Sequence, residues 1–254
     1  MSPPQFHESA NGRKIAFYLT KGAGPMVVFL GGFMSDMQGT KAIDLQDWAE
    51  HRRRGFLRFD YSGHGQSSGR FEDGTIGQWA EDAIDVITNL TSGKVILVGS
   101  SMGGWISLLV ARSLPDRIAG LVGIAAAPDF TEDSMWAGFS GDQKTELDTI
   151  GQIELPSDYD DGPYVITKQL IEDGRNHLVL RAPLDLPFPV RLLQGTDDQD
   201  VDQQVALRLL ACASGADIRL TLVKGADHRF STPACLGLIR KAIHSVTMAA
   251  SQQG

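Results

Sequence analysis

Cysteine and long apolar runs are scarce in this chain. Only two of its 254 residues are cysteine, Cys212 and Cys235, and both lie in segments with helical patterning, where isolated cysteines are usually small core residues. This scarcity excludes a disulfide framework, and we expect no metal site and no cofactor. Apolar stretches such as residues 119–127 are far shorter than the about 18 residues of a membrane-spanning helix, so no membrane span is expected.

Positive charge is also in short supply. Lysine and arginine number 23 against 31 acidic residues, which gives a formal net charge of −8. The basic residues form no stripe, so we expect no nucleic-acid partner. The first residues, Met-Ser-Pro-Pro-Gln-Phe-His-Glu, have neither the apolar core of a secretory signal nor the basic bias of a transit peptide. The expected location is therefore cytoplasmic.

Residues 99–103 read Gly-Ser-Ser-Met-Gly, which fits the G-x-S-x-G pattern of a nucleophile turn. A short β-branched run precedes them and an apolar helix start follows, so the chain passes straight from a strand into a helix. Such a turn is strained, and it lifts the central serine above the edge of the sheet. Ser101 alone has glycines two residues before and two residues after it, so we predict Ser101, rather than Ser100, as a nucleophile.

A base and an acid for this serine follow further along the chain. Residues 218–223 alternate as a strand does, and the loop after them carries His228. The other histidines lack this position after a strand, so His228 is the predicted base. Another apolar strand, residues 190–195, opens into an acidic loop. The order serine, acid, histidine is one of the chain orders known for catalytic triads.

The identity of the acid is less tightly specified, because four aspartates crowd that loop. In the common pattern of such loops, the aspartate lies three residues after the glycine that ends the strand and three residues before an apolar residue. Asp198 has this spacing from Gly195 and Val201, and it is the predicted acid. Asp129 is the alternative, because it follows the strand of residues 121–127 and some hydrolases carry the acid one strand earlier.

A glycine pair, Gly31 and Gly32, ends another apolar strand well upstream of the serine. Backbone N–H groups at such a turn can hold the oxygen that becomes negative during acyl transfer. We predict that the N–H groups of Phe33 and Met102 form this oxyanion hole.

Strands and helices alternate along most of the chain, which predicts an α/β fold with a mostly parallel, twisted sheet covered by helices on both faces. The alternation breaks in residues 128–189, and a loop of that length without structure would be unusual. We expect a core of residues 1–127 and 190–254 with a small helical cap inserted at 128–189. Met34 and the cap aromatics Trp136 and Phe139 are predicted to line an acyl pocket; the alternative is that the cap aromatics only pack the cap onto the sheet.

The chain resembles the α/β-hydrolase superfamily over nearly its full length. Within that superfamily it resembles the mitochondrial α/β-hydrolase-domain enzymes described as acyl-protein thioesterases and acyl-glucuronide esterases, and their bacterial relatives. The resemblance rests on residues 39–42 (Gly-Thr-Lys-Ala), 58–63 (Arg-Phe-Asp-Tyr-Ser-Gly), 99–105, 191–193 and 227–229 (Asp-His-Arg). It implies the α/β-hydrolase fold and a triad of Ser101, Asp198 and His228.

The expected function is that of a serine hydrolase acting on a small-molecule ester or thioester through an acyl-enzyme, because these bonds need less protonation of the leaving group than amides do. Two alternatives remain open. The same triad could serve a C–C hydrolase or a haloperoxidase-like activity, and a relative of this fold can bind a small ligand without catalysis.

Overall fold

The computed structural model describes residues 3–156 and 163–252. The described chain consists of strands and helices that alternate over most of its length. The strands are β1 (Gln5–Glu8), β2 (Lys14–Thr20), β3 (Ala23–Leu30), β4 (Arg54–Phe59), β5 (Val95–Ser100), β6 (Ile118–Ile124), β7 (Gln152–Leu155), β8 (Tyr164–Thr167), β9 (Leu184–Asp185), β10 (Val190–Gly195), β11 (Ala213–Ser214) and β12 (Ile218–Val223). The helices are α1 (Thr40–His51), α2 (Ile76–Leu90), α3 (Met102–Ser113), α4 (Gly141–Ile150), α5 (Lys168–Arg175), α6 (Gln203–Cys212) and α7 (Pro233–Ala250), with short turns at Phe71–Asp73, Pro115–Arg117 and Thr131–Trp136.

The main sheet has, within the described ranges, eight strands in the order β1-β2-β4-β3-β5-β6-β10-β12. β1 and β2 pair antiparallel, and β2 joins β4 antiparallel, while the pairs from β4 to β12 are all parallel. The carboxyl ends of these parallel strands therefore share one edge, which is where open α/β sheets place their sites. The predicted mostly parallel sheet is confirmed.

Successive side chains of the central strands pack into two separate hydrophobic cores, one on each face of the sheet. Val28 of β3 belongs to the cluster that contains Trp79 of α2 and residues of α3. Its neighbour Val27 belongs to the cluster that contains Leu45 of α1 and residues of α7. Because successive strand side chains point to opposite faces, the sheet is covered by helices on both sides, as the sequence predicts.

The strand expected at 121–127 instead covers Ile118–Ile124. It ends there because Ala125 adopts a positive φ of 45°, which turns the chain out of the sheet.

The described part of residues 128–189 contains helices, as expected for the cap, and also short strands that the sequence did not predict. Here β7 and β8 pair antiparallel, and a π-helical turn at Thr131–Trp136 is followed by α4 and α5. Strands of four residues are too short to show a periodicity that distinguishes them in sequence. Among the described helices, none is both long and apolar enough to span a membrane.

Candidate active site

The turn between β5 and α3 holds Ser101 in a conformation that side chains rarely adopt, with φ 54° and ψ −120°. The flanking glycines are required by close backbone contacts. A Cβ on Gly99 would lie 2.2 Å from the Gly103 carbonyl oxygen, and one on Gly103 would lie 2.1 Å from the Leu30 carbonyl oxygen. The turn is thus packed too tightly for side chains at either glycine, and it presents Ser101 at the carboxyl edge of the sheet.

Ser101, His228 and Asp198 lie within hydrogen-bonding distance of one another in that order. The Ser101 Oγ is 3.1 Å from His228 Nε2, and His228 Nδ1 is 3.0 and 2.9 Å from the two oxygens of Asp198. An ionised carboxylate only accepts hydrogen bonds, so Nδ1 carries the proton and the neutral ring's Nε2 accepts from the serine hydroxyl. This is the tautomer that a general base needs.

The side chain of Asp198 is fully buried and accepts hydrogen bonds from several donors. Its Oδ1 accepts from the backbone N–H groups of Asp200 and Val201, at 3.0 and 2.8 Å, and its Oδ2 accepts from Gln194 Nε2 at 2.9 Å. Burial by itself raises the pKa of Asp198, but the hydrogen bonds from His228 and Val201 outweigh it and the net pKa is lowered. The carboxylate is therefore kept ionised opposite His228.

Gln194 was not predicted from the sequence. It is completely buried at the end of β10, and its amide bridges Asp198 and the Val201 carbonyl oxygen. The sequence feature that could have indicated its role is its position at the end of an otherwise apolar strand. A buried amide at such a position needs hydrogen-bond partners.

Asp129, the alternative acid, has a different set of partners. Its carboxylate accepts from the backbone N–H groups of Val179 and Leu180, at 2.8 and 3.0 Å, and from Arg181 at 3.1 Å. Burial raises its pKa. These bonds connect the start of residues 128–189 to the end of that segment, so Asp129 stabilises the segment. The carboxylate that contacts His228 is that of Asp198.

Phe33 and Met102 lie at the same cavity as Ser101. In the described chain, neither backbone N–H donates to another protein group. Met102 begins α3, where N–H groups lack helical partners and the helix dipole favours negative charge. The Phe33 ring is fixed edge-to-face against Phe71 and Phe130, with centroids 4.9 and 5.6 Å away. Two residues whose backbone N–H groups have no partner in the described chain thus line the cavity beside the nucleophile.

A cavity of about 800 Å³ opens above Ser101. Met34 lines it, together with Phe130, Met135 and Tyr164 from residues 128–189. Ligand pockets of small molecules fall in this range of volumes.

Trp136 and Phe139 do not line this cavity, contrary to the sequence prediction. Their rings contact each other edge-to-face at 6.4 Å, and Arg175 and Lys144 lie over the Trp136 ring. The π-helical turn places Met135 toward the cavity and the neighbouring Trp136 away from it, a choice of direction that residue type alone does not reveal.

Lys41 is a second residue whose place the sequence did not predict. It lines the cavity, and its ammonium donates to the carbonyl oxygen of Arg229, directly after His228. Burial lowers the pKa of Lys41 to about 8. The lysine therefore joins the start of α1 to the loop that carries the histidine.

One group of metal-ligand types occurs in the described residues: ligand atoms of Asp198, Asp200 and His228 lie within 4.8 Å of one another. The Asp198 oxygens and the His228 nitrogens already hydrogen-bond to protein groups. The arrangement is therefore explained by hydrogen bonding alone.

Fold and site together define a hydrolase built on an open α/β sheet. Residues 27–234 match the family described as the alpha/beta hydrolase family, and the chain belongs to that family. The human protein named "Palmitoyl-protein thioesterase ABHD10, mitochondrial" is 33% identical over 226 residues, which cover 89% of this chain and 74% of that protein.

Solved structures agree with this placement. A putative hydrolase from Agrobacterium vitis S4 is 40% identical with a TM-score of 0.91, covering 97% of this chain and 100% of that one. The mouse alpha/beta hydrolase domain-containing protein 10 is 31% identical with a TM-score of 0.89, covering 96% and 98%. The described fold is thus shared over nearly the whole chain.

Proposed function

We propose that this hydrolase cleaves carboxylic ester and thioester bonds of acyl substrates, with Ser101 as nucleophile, His228 as base and Asp198 as the orienting acid. The observation that carries the proposal is the continuous hydrogen-bonded path from Ser101 Oγ through the His228 ring to a buried carboxylate. The same arrangement on other folds performs acyl transfer.

The reaction proceeds in two halves. His228 Nε2 takes the proton of Ser101 as Oγ attacks the carbonyl carbon, and the N–H groups of Phe33 and Met102 hold the resulting oxyanion. The protonated histidine then gives its proton to the leaving oxygen or sulfur, which leaves an acyl-enzyme on Ser101. Water, deprotonated by the same nitrogen, releases the acid and restores the serine.

The acyl chain fits the apolar part of the cavity. Met34, Phe130, Met135 and Tyr164 supply apolar side chains beside the nucleophile, and their contact with methylene groups favours longer chains. The thioesterase name of the human relative supports a thioester of a long acyl chain among the substrates.

A matched pair of adjacent serines tests the nucleophile. Ser101→Ala is expected to lower kcat/KM for p-nitrophenyl esters and acyl thioesters by about 10⁴-fold or more, and a fluorophosphonate probe should no longer label the protein. Ser100→Ala changes a buried neighbour in the same turn and is expected to keep both activity and labelling. Full turnover in Ser101→Ala, or loss confined to Ser100→Ala, contradicts the proposal. A wild-type protein that binds these esters without a burst of product supports the ligand-binding alternative.

We also propose that the protein works in a reducing compartment such as the cytoplasm. Cys212 and Cys235 are both free thiols, and such compartments keep thiols reduced. Fractionation of cells that express the full chain tests the location, and recovery from an oxidising compartment contradicts it.

A further inference from the structure

A second cavity, of about 660 Å³, lies far from Ser101 in the fold. It opens where the end of α1, the start of β4 and the middle of α7 meet. Because β4 runs parallel to β3 and β5, its first residue lies at the edge of the sheet opposite the nucleophile turn. The cavity therefore has no part in the proposed hydrolysis.

The lining of this cavity is strongly basic. Five basic side chains surround it: Arg52, Arg54, Arg240, Lys241 and His244. This concentration occurs in a chain whose formal net charge is −8. Cations brought together in a concave surface raise the local concentration of anions.

Arg54 has guanidinium nitrogens without a partner. Its Nε and Nη2 are buried and make no hydrogen bond in the described structure. Burial lowers the pKa of Arg54. A charged group with buried, unpaired donors is costly, and because Arg54 lines the cavity, an anion bound there would stabilise its charge.

Neighbouring carboxylates neutralise little of this charge. Arg240 pairs with Asp44 at 3.3 Å. Across residues 3–156 and 163–252, Arg52, Arg54 and Lys241 form no ion pair. Several positive charges thus remain for a ligand with more than one negative charge.

Two further residues bear on the kind of anion. Trp48 lines the cavity and lies near Arg54, whose guanidinium carbon is 5.7 Å from the ring centroid. The Ser245 hydroxyl accepts from Arg191 Nε at 3.1 Å, so its own proton remains available to an acceptor. Guanidinium forks and hydroxyl donors are the groups that bind phosphate oxygens.

We propose that this cavity is a binding site for a small anion carrying a phosphate or diphosphate group. Its volume suits a small molecule, and the guanidinium of Arg54, which lines the cavity, is the group that binds the phosphate oxygens. The anion can be a free inorganic diphosphate or the diphosphate of a nucleotide, in which case Trp48 offers an apolar surface to the ring.

Isothermal titration of the full chain with inorganic pyrophosphate and, separately, with ADP tests the proposal. We expect saturable binding at one site per chain for at least one of the two. The ligand that binds more tightly shows whether the site prefers free diphosphate or the diphosphate of a nucleotide. Arg54→Gln is expected to weaken that binding by about tenfold to a hundredfold, because it removes charged hydrogen bonds.

Arg70→Gln is the matched control, since it removes the same charge from a side chain that is 76% exposed and outside the cavity. It should leave binding within about twofold. Ester hydrolysis should be unchanged in both variants, which shows that each is folded. Absence of saturable binding by either ligand in the millimolar range overturns the proposal, and so does equal weakening by Arg54→Gln and Arg70→Gln.

Discussion

The choice between two buried aspartates gives the sharpest test of the site. Asp198→Asn keeps the size of the side chain but removes the charge that faces His228. An amide in that place can present its NH₂ group to Nδ1, which favours the wrong tautomer and turns Nε2 into a donor toward Ser101. The base is then lost although the fold is kept.

The expected magnitude follows from this geometry. Both Asp198 oxygens lie 2.9 to 3.0 Å from Nδ1, so the variant disrupts the contact that sets the ring's tautomer. In triads of this type such a change lowers kcat by about 10³ to 10⁴-fold, which is about 4 to 5.5 kcal/mol of transition-state stabilisation.

Asp129→Asn is the matched control, because it makes the same change from carboxylate to amide at the other aspartate. The amide oxygen can still accept from one of the two N–H groups of Val179 and Leu180, and the other loses its partner. We expect kcat within about tenfold of wild type and a loss of about 1 to 3 kcal/mol in the free energy of unfolding.

Initial rates with p-nitrophenyl acetate and octanoate, together with urea denaturation, measure both quantities. A nearly active Asp198→Asn with a large loss of kcat in Asp129→Asn would refute the reasoning and move the acid to the loop after β6. Equal losses of kcat in both variants would contradict the assignment of the catalytic role to Asp198 alone.

Three further predictions rest on the described contacts. Met135→Ala should lower kcat/KM for octanoyl relative to acetyl esters by about fourfold or more, the value of one lost methylene contact, while Trp136→Ala should leave that ratio unchanged; equal ratios in both variants would place the acyl chain elsewhere. Gly103→Ala should fail to give a stable fold in thermal denaturation, because its Cβ would lie 2.1 Å from the Leu30 carbonyl oxygen; a wild-type Tm would contradict the described turn. Because burial lowers the pKa of Lys41 to about 8 from an ordinary value of about 10.4, the unfolded chain binds more protons between these values and the contribution of Lys41 to stability rises with pH. The stability of Lys41→Met relative to wild type should therefore fall from pH 8 to 10, and a constant difference would refute the shift.

Local spacing in the sequence determined the fold and the nucleophile turn. Alternating β-branched runs and helical periodicities predicted the parallel sheet, because strand and helix periods are properties of short segments. The glycines on either side of Ser101 indicated the strained turn for a similar reason, since only a residue without a side chain fits those backbone contacts.

Contacts across distant segments were decided by the tertiary structure. Asp129 and Asp198 both follow strands, and only the order β6-β10-β12 brings the loop of Asp198 beside that of His228. The directions of Met135 and Trp136 depend on the π-helical turn that carries them. The basic cavity joins residues of α1, β4 and α7 that lie almost 200 positions apart in the chain, such as Trp48 and Ser245. Charge along a sequence does not reveal such a cluster, because the packing of α1 and α7 on one face of the sheet creates it.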